Sequence, residues 1–262
     1  MPMYTDIKTQ TYKCGLCKDT GRIVKQVSAE EAYGATMKDW PPIQMDAPCP
    51  RCGYKPVYDD CGFPKSYSEA DMSKFHWDIY GQDLTKMEKL ASSFWKNYSS
   101  WSMTGNGLYI WSKTRGTGKT YLGCCLARSV REKHKIGVKF ITAVDYLELV
   151  SERYDDTYKG QDKSRVYREC ELLVLDDFGA ESRSRKTNWT DKEFYRLLGG
   201  RFSQGKVTII TSNTPLSDLD IDDRISSRVN AKSIIVKLPE VSIRTRNADA
   251  DKKAFIDKVL NI

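Results

Sequence analysis

Gly116-Thr117-Gly118-Lys119-Thr120 brings together, in five consecutive positions, the groups that hold a nucleoside triphosphate. Small residues let backbone N–H groups curl around phosphates, Lys119 supplies a positive charge to the β- and γ-phosphates, and the Thr120 hydroxyl faces Mg2+. A second constellation is Glu171-Leu-Leu-Val-Leu-Asp-Asp-Phe-Gly179. An apolar run ending in acids puts Asp176 and Asp177 at the tip of a strand buried on both faces. Asp176 is placed to hold the Mg2+ shell, and Asp177 to orient or deprotonate an attacking water. A third polar group, Asn213, follows Val207-Thr-Ile-Ile-Thr-Ser212 and would sit between the other two, within reach of the γ-phosphate.

These groups need a sheet to converge. Strands are expected at 107–112, 138–142, 171–176, 206–212 and 233–238, and helices at 118–134, 143–154, 190–203, 222–230 and 249–260. Five strands alternating with helices predict an α/β fold, a parallel sheet covered on both faces, whose carboxyl edge is the place for a ligand. The phosphate-loop pattern G-x-x-x-x-G-K-[ST] wants glycine at 113, where this chain has Lys113. That lysine either strains the turn or adds a cation near the phosphates.

The N-terminal part carries a different chemistry. Cys14-Gly-Leu-Cys17 and Cys49-Pro-Arg-Cys52 form two C-x-x-C pairs, each followed by a glycine turn. Four thiolates in this pattern suit a tetrahedral zinc ion, with Cys61 an alternative to Cys52 as the fourth ligand. A segment this polar has little core, so zinc would supply much of its folding energy. Arg22-Ile-Val-Lys-Gln-Val27 between the pairs reads as a short strand. Cys124, Cys125 and Cys170 lie in apolar context and read as small core residues. The expected organisation is a zinc module over 1–62, a linker and lead-in helix over 63–100, and a catalytic core over 101–262. Residues 53–70, rich in Gly, Pro, Tyr, Asp and Ser, read as the linker itself.

Of 262 residues, 42 are basic and 35 acidic, a net charge of +7. Residues 1–62 are balanced, so the excess lies in the remainder, where it is compatible with a nucleic-acid partner. No apolar run approaches the ~20 residues of a membrane span and the N-terminus lacks an apolar h-region, so the expectation is a cytoplasmic protein with no membrane partner.

Arg224 and Arg228 stand at i and i+4 in Asp223-Arg-Ile-Ser-Ser-Arg-Val229, on one helix face. An arginine there could reach the phosphates of a neighbouring subunit. Arg244 and Arg246 follow the last strand in Ser242-Ile-Arg-Thr-Arg246. Arg183-Ser-Arg-Lys-Thr-Asn-Trp189 combines three cations with an aromatic ring, which suits single-stranded DNA.

The order GTGKT, LLVLDDFGAE, IITSN, DRISSRV and SIRTR resembles the DnaC/DnaI-type helicase loaders, a branch of the AAA+ ATPases, and YKCGLCKDTGRI…APCPRCG resembles the zinc module of DnaI-type and phage-encoded loader-like proteins. The resemblance implies an AAA+ core without a large lid. It implies that Gly116, Thr117, Gly118, Lys119, Thr120 and Asp176 bind ATP and Mg2+, with Asp177 at the Walker B acid position. It makes Asn213 the sensor-1 residue, Arg228 the arginine finger and Arg244 the sensor-2 arginine. The implied function is loading a hexameric replicative helicase onto single-stranded DNA, with ATP a switch that favours self-association. Asp177 stands where many AAA+ proteins have Glu, which implies slow, partner-stimulated hydrolysis. Two other readings are an IstB-type transposition helper ATPase, which shares the core but typically lacks a zinc module, and a non-hydrolysing adaptor.

Overall fold

The computed structural model describes residues 16, 22–28, 41–48, 61–152, 162–179 and 188–244. The chain divides into two compact units, Met1–Asp59 and Asp60–Ile262. In the first, β1 (Arg22–Val27) pairs antiparallel with β2 (Ile43–Pro48), Arg22 opposite Pro48 and Val27 opposite Ile43. The four thiols assigned to zinc, Cys14, Cys17, Cys49 and Cys52, lie outside the described residues.

Among the described residues of the second unit, five strands form a parallel sheet: β3 (Gly107–Trp111), β4 (Val138–Thr142), β5 (Leu172–Asp176), β6 (Val207–Ser212) and β7 (Ser233–Lys237). Their order is β4-β5-β6-β3-β7. The α/β expectation holds, and each strand lies within one residue of its expected bounds. β5 and β6 are buried along their whole length, as a sheet covered on both faces requires. Alternation sends Leu108, Ile110, Leu172, Val174, Val207 and Ile209 to one core, and Tyr109, Leu173, Leu175 and Ile210 to the other. Gly107 is where β3 comes closest to β6, since a Cβ there would lie 1.9 Å from the Thr208 carbonyl oxygen.

The helices follow the expected periodicity. The lead-in region holds α1 (Thr85–Lys96) and α2 (Tyr98–Thr104), and α3 (Lys119–His134) springs from the glycine turn. α4 (Ala143–Ser151) is capped by Thr142, whose hydroxyl accepts from the Asp145 N–H at 3.0 Å. α5 (Arg165–Glu169) precedes β5. α6 (Asn188–Phe194) passes through a π turn, Tyr195–Gly199, into a short final turn. α7 (Asp223–Lys232) is capped by Asp222. The helix expected at 249–260 lies outside the described residues. None of the described helices is long and apolar enough to cross a membrane.

The linker reading of 53–70 does not describe its last ten residues. From Cys61 onward the chain belongs to the sheet's core: Cys61, Ala70, Phe75, Tyr80, Ala91, Phe94 and Tyr98 are all buried in the cluster that holds Leu108 and Val174. The Cys61 carbonyl accepts from the Phe140 N–H at 2.7 Å. Turn-forming residues masked this, because three short 3-10 turns at 65–67, 72–74 and 77–80 carry the chain while its rings do the packing. Cys61, the alternative zinc ligand, is therefore a core thiol beside Cys124. Burial pushes the Cys124 and Cys125 thiols up, Cys125 to about 12, as inert core cysteines require.

Candidate nucleotide-binding site

Three strand ends meet at one edge of the sheet. β6 lies between β5 and β3, so Asn213 falls between the acids after β5 and the loop after β3. This is where a doubly wound sheet reverses direction and leaves a crevice. A cavity of about 1100 Å3 opens there. Lys119, Thr120, Asp176, Asp177, Asn213 and Arg244 line it, with Gly116, Thr117 and Gly118. Nine of the ten residues named above for catalysis and nucleotide binding thus share one cavity, and Arg228 does not.

The loop is braced by its own side chains. Gly116 and Gly118 have φ of +77° and +91°, conformations that glycine takes without a Cβ penalty. Lys119 Nζ donates to Ser112 Oγ at 2.9 Å and to the Thr114 carbonyl at 3.0 Å. Burial draws the Lys119 ammonium down, and the charges of Asp177, Glu240 and Asp176 oppose that. Ser112 Oγ also lies 2.7 Å from Thr117 Oγ1. The Tyr80 hydroxyl donates to the Thr117 carbonyl at 2.6 Å, fixing the loop from outside.

Lys113 departs from both expectations. It is exposed, lies outside the cavity lining and does not have a positive φ, so it neither strains the turn nor adds a cation at the phosphates.

Buried Asp176 and half-buried Asp177 meet around one hydroxyl. Thr211 Oγ1 donates to Asp176 Oδ1 at 2.5 Å and accepts from the Asp177 N–H at 3.0 Å. Burial pushes the Asp176 carboxyl up, hydrogen bonds from Thr211 and Thr120 pull it down, and Asp177 pushes it up again. Asp177 adopts φ +54°, which turns its side chain out of the strand line. There Asn213 Nδ2 donates to Asp177 Oδ1 at 2.6 Å.

A desolvated acid beside a second carboxylate, with a threonine hydroxyl at hand, suits a divalent cation whose remaining ligands are phosphate oxygens and water. Among the described residues no group of three or more His, Cys, Asp or Glu side chains forms a cage of its own. Glycines that open the loop, a lysine at its base and an acid pair opposite fit ATP with Mg2+.

Sequence reasoning missed Thr211, Tyr80 and the far wall of the cavity, made by Tyr67, Phe75, His76, Ile79 and Ile243. Phe75 and Tyr80 stand some 40 residues before the loop, and nothing in their spacing links them to it. Arg228 lies elsewhere, beside a separate cavity of about 590 Å3 lined also by Trp189, Lys192, Tyr195 and Arg196. Its guanidinium donates to the Tyr195 hydroxyl at 2.9 Å and lies 5.0 Å from that ring's centre, with Arg224 at 5.4 Å. Of the DNA candidate 183–189, Arg183, Arg185 and Lys186 lie outside the described residues, and Trp189 lines this second cavity. Arg246 is likewise outside them.

Strand order, loop and acids define a P-loop ATP-binding core of the AAA+ kind. The IstB-like ATP binding protein family matches residues 70–249, and the chain belongs to it. Its fold is similar to the crystal structure of the DnaC helicase loader, with a TM-score of 0.58 and 21% identity over 67% of this chain and 100% of that one. DnaI gives a TM-score of 0.56 and 21% identity over 67% of this chain and 94% of that one. The chromosomal replication initiator protein DnaA of Acholeplasma laidlawii is 27% identical over 146 residues, 53% of this chain but 31% of that protein's length. The chain therefore spans under a third of that relative.

Proposed function

We propose that this protein is an ATP-dependent loader of a hexameric replicative helicase onto single-stranded DNA, acting in the cytoplasm and using ATP as a switch. The observation that carries the ATPase part is the convergence of Lys119, Asp176, Asp177 and Asn213 on one cavity at the switch point of the sheet. Gly116, Thr117, Gly118 and Lys119 would bind the triphosphate, and Thr120 and Asp176 would hold its Mg2+, which would neutralise charge on the phosphates. Asp177, oriented by Asn213, holds the attacking water and accepts its proton. Arg244 reaches the phosphates from the segment after β7. Arg228 completes the site of a second copy, so hydrolysis follows self-association. The loader assignment is supported by the shared fold with the DnaC helicase loader and with DnaI. Zn2+ held by Cys14, Cys17, Cys49 and Cys52 would fold the N-terminal module that docks on the helicase.

The family match itself favours a second reading, a transposition helper ATPase. Co-purification of the full chain with a replicative helicase, with and without ATP, separates the two. ATP-dependent retention of the helicase is expected, and retention of a transposase alone refutes the loader. Metal analysis tests the module: about one zinc per chain is expected, lost in Cys14→Ser and kept in Cys61→Ser.

A further inference from the structure

Lys113, where the phosphate-loop pattern has glycine, is met by the chain that follows β7. The Lys113 and Thr114 N–H groups both donate to the Glu240 carboxylate, at 3.1 and 2.6 Å. Two successive N–H groups turned toward one anion make the kind of concavity that elsewhere takes a phosphate oxygen. Here the anion comes from the chain itself. Two residues earlier the Leu238 N–H donates to the Trp111 carbonyl at 2.8 Å, and further on the Ile243 and Arg244 N–H groups donate to the Gly116 carbonyl at 2.9 and 3.2 Å. The approach is tight, because a Cβ on Gly116 would lie 2.9 Å from Arg244 Cβ. Burial pushes the Glu240 carboxyl up, but the Thr114 and Lys113 N–H groups outweigh it and leave it lowered.

The segment 238–244 is thus fastened to the loop at both ends. One end is the carboxylate of Glu240 at the loop's entrance. The other is the pair of bonds on Gly116, next to Arg244 and Ile243, which line the nucleotide cavity. We propose that Glu240 is a positioning residue that ties the segment carrying Arg244 to the entrance turn of the phosphate loop. Arg244 and the phosphate cradle then keep one geometry relative to each other when a triphosphate enters. The proposal rests on the ATP reading above and adds to it a residue that never touches the nucleotide. Glu240 acts on the N–H of Lys113, which replaces the pattern's glycine, and on that of Thr114 beside it, so the departure from the pattern is buttressed from outside.

The test measures binding of a fluorescent ATP analogue to the full chain, as wild type, Glu240→Ala, Glu240→Gln, Arg244→Ala and the Glu240→Ala/Arg244→Ala double variant. Glu240→Ala is expected to weaken binding about tenfold, the loss of one charge-assisted contact. Glu240→Gln keeps one acceptor oxygen and is expected between the two. Because Glu240 acts through Arg244, the double variant is expected to bind no more weakly than Arg244→Ala alone. Independent, additive penalties, or wild-type affinity in Glu240→Ala, overturn the proposal. A wild-type protein that does not bind the analogue refutes the nucleotide reading and this proposal together, which distinguishes the two failures. Amide hydrogen exchange on the nucleotide-free wild type needs no variant to fold: protected Lys113 and Thr114 amides are expected, and freely exchanging ones overturn it.

Discussion

Thr211→Val tests the site at its least visible point. The substitution keeps the branched shape, including the methyl group that packs 3.5 Å from where a Gly123 Cβ would stand, and removes only the hydroxyl. Two bonds go with it, at 2.5 Å to Asp176 Oδ1 and at 3.0 Å from the Asp177 N–H. A hydrogen bond to a charged group contributes about 1.5–3 kcal/mol, and a buried N–H left without a partner costs about 1–3 kcal/mol. Water entering from the cavity takes back part of this, so a loss of about 3 kcal/mol is expected. In a domain of 150–250 residues each kcal/mol moves the melting temperature by about 2–4 °C. The variant should therefore melt about 6–12 °C below wild type, and Thr211→Ser close to it. The pH dependence carries a second signature. The Asp176 carboxyl sits above its ordinary value of 3.8 in the folded protein, chiefly through burial. Its neutral form is thus favoured by folding: that stability is complete below pH 3.8 and is lost as pH rises through the folded value. Removing the Thr211 donor raises the folded value further. The decline should then extend to higher pH, and Mg2+-dependent nucleotide binding, which needs Asp176 ionised, should begin at higher pH. Melting curves over a pH series with and without Mg2+ and an ATP analogue read both effects. A Thr211→Val protein with wild-type melting and an unmoved pH midpoint for Mg2+ would refute the reasoning.

Lys119→Ala should weaken nucleotide binding at least about a hundredfold, the loss of a charge aimed at two phosphates, and calorimetry showing affinity near wild type would remove Lys119 from the site. Arg228→Ala should leave nucleotide binding intact while turnover falls about a thousandfold, and mixing it with Lys119→Ala should restore part of the activity, because mixed interfaces pair an intact loop with an intact arginine. No restoration on mixing would count against action in trans. Arg201→Met should lower stability by about 3 kcal/mol in urea unfolding: Arg201 is fully buried and donates to the Tyr167, Arg168, Cys170 and Val207 carbonyls and to Thr208 Oγ1, so its loss removes a whole set of buried bonds, partly offset by relief of a desolvated cation.

The core's architecture was legible because its two central strands are buried along their whole length and dominated by Leu, Ile and Val. Leu172–Asp176 and Val207–Ser212 have no exposed face, and an acid ends the first while a glycine, Gly205, precedes the second. The site was legible where chemistry stands in consecutive residues, as at 116–120 and 176–177. It was not legible where a partner comes from far along the chain. Thr211 looks like an ordinary strand threonine, and only the parallel pairing of β6 with β5 puts it against Asp176. Tyr80 and Glu240 reach the loop across 37 and 127 residues of sequence. Residues 61–70 were misread because turn-forming composition reports local backbone and says nothing of side chains buried by tertiary contact.

The two departures from the ATPase pattern bear on whether this is a slow switch or a failed site. Lys113 removes a glycine, but its backbone takes an ordinary φ and its N–H is met by Glu240. Asp177 is one methylene shorter than Glu, but φ +54° swings it out of the strand line and Asn213 fixes its carboxylate at 2.6 Å. Each departure thus comes with a local arrangement that restores geometry, which a decaying site has no reason to keep. Arg228, proposed above to act on a second copy, is held by Tyr195 at a separate cavity of the same unit. On the proposal that Arg228 acts in trans, a lone chain binds ATP and hydrolyses it poorly because the second copy's cation is absent, and hydrolysis reports assembly, the property that the proposed loading switch needs.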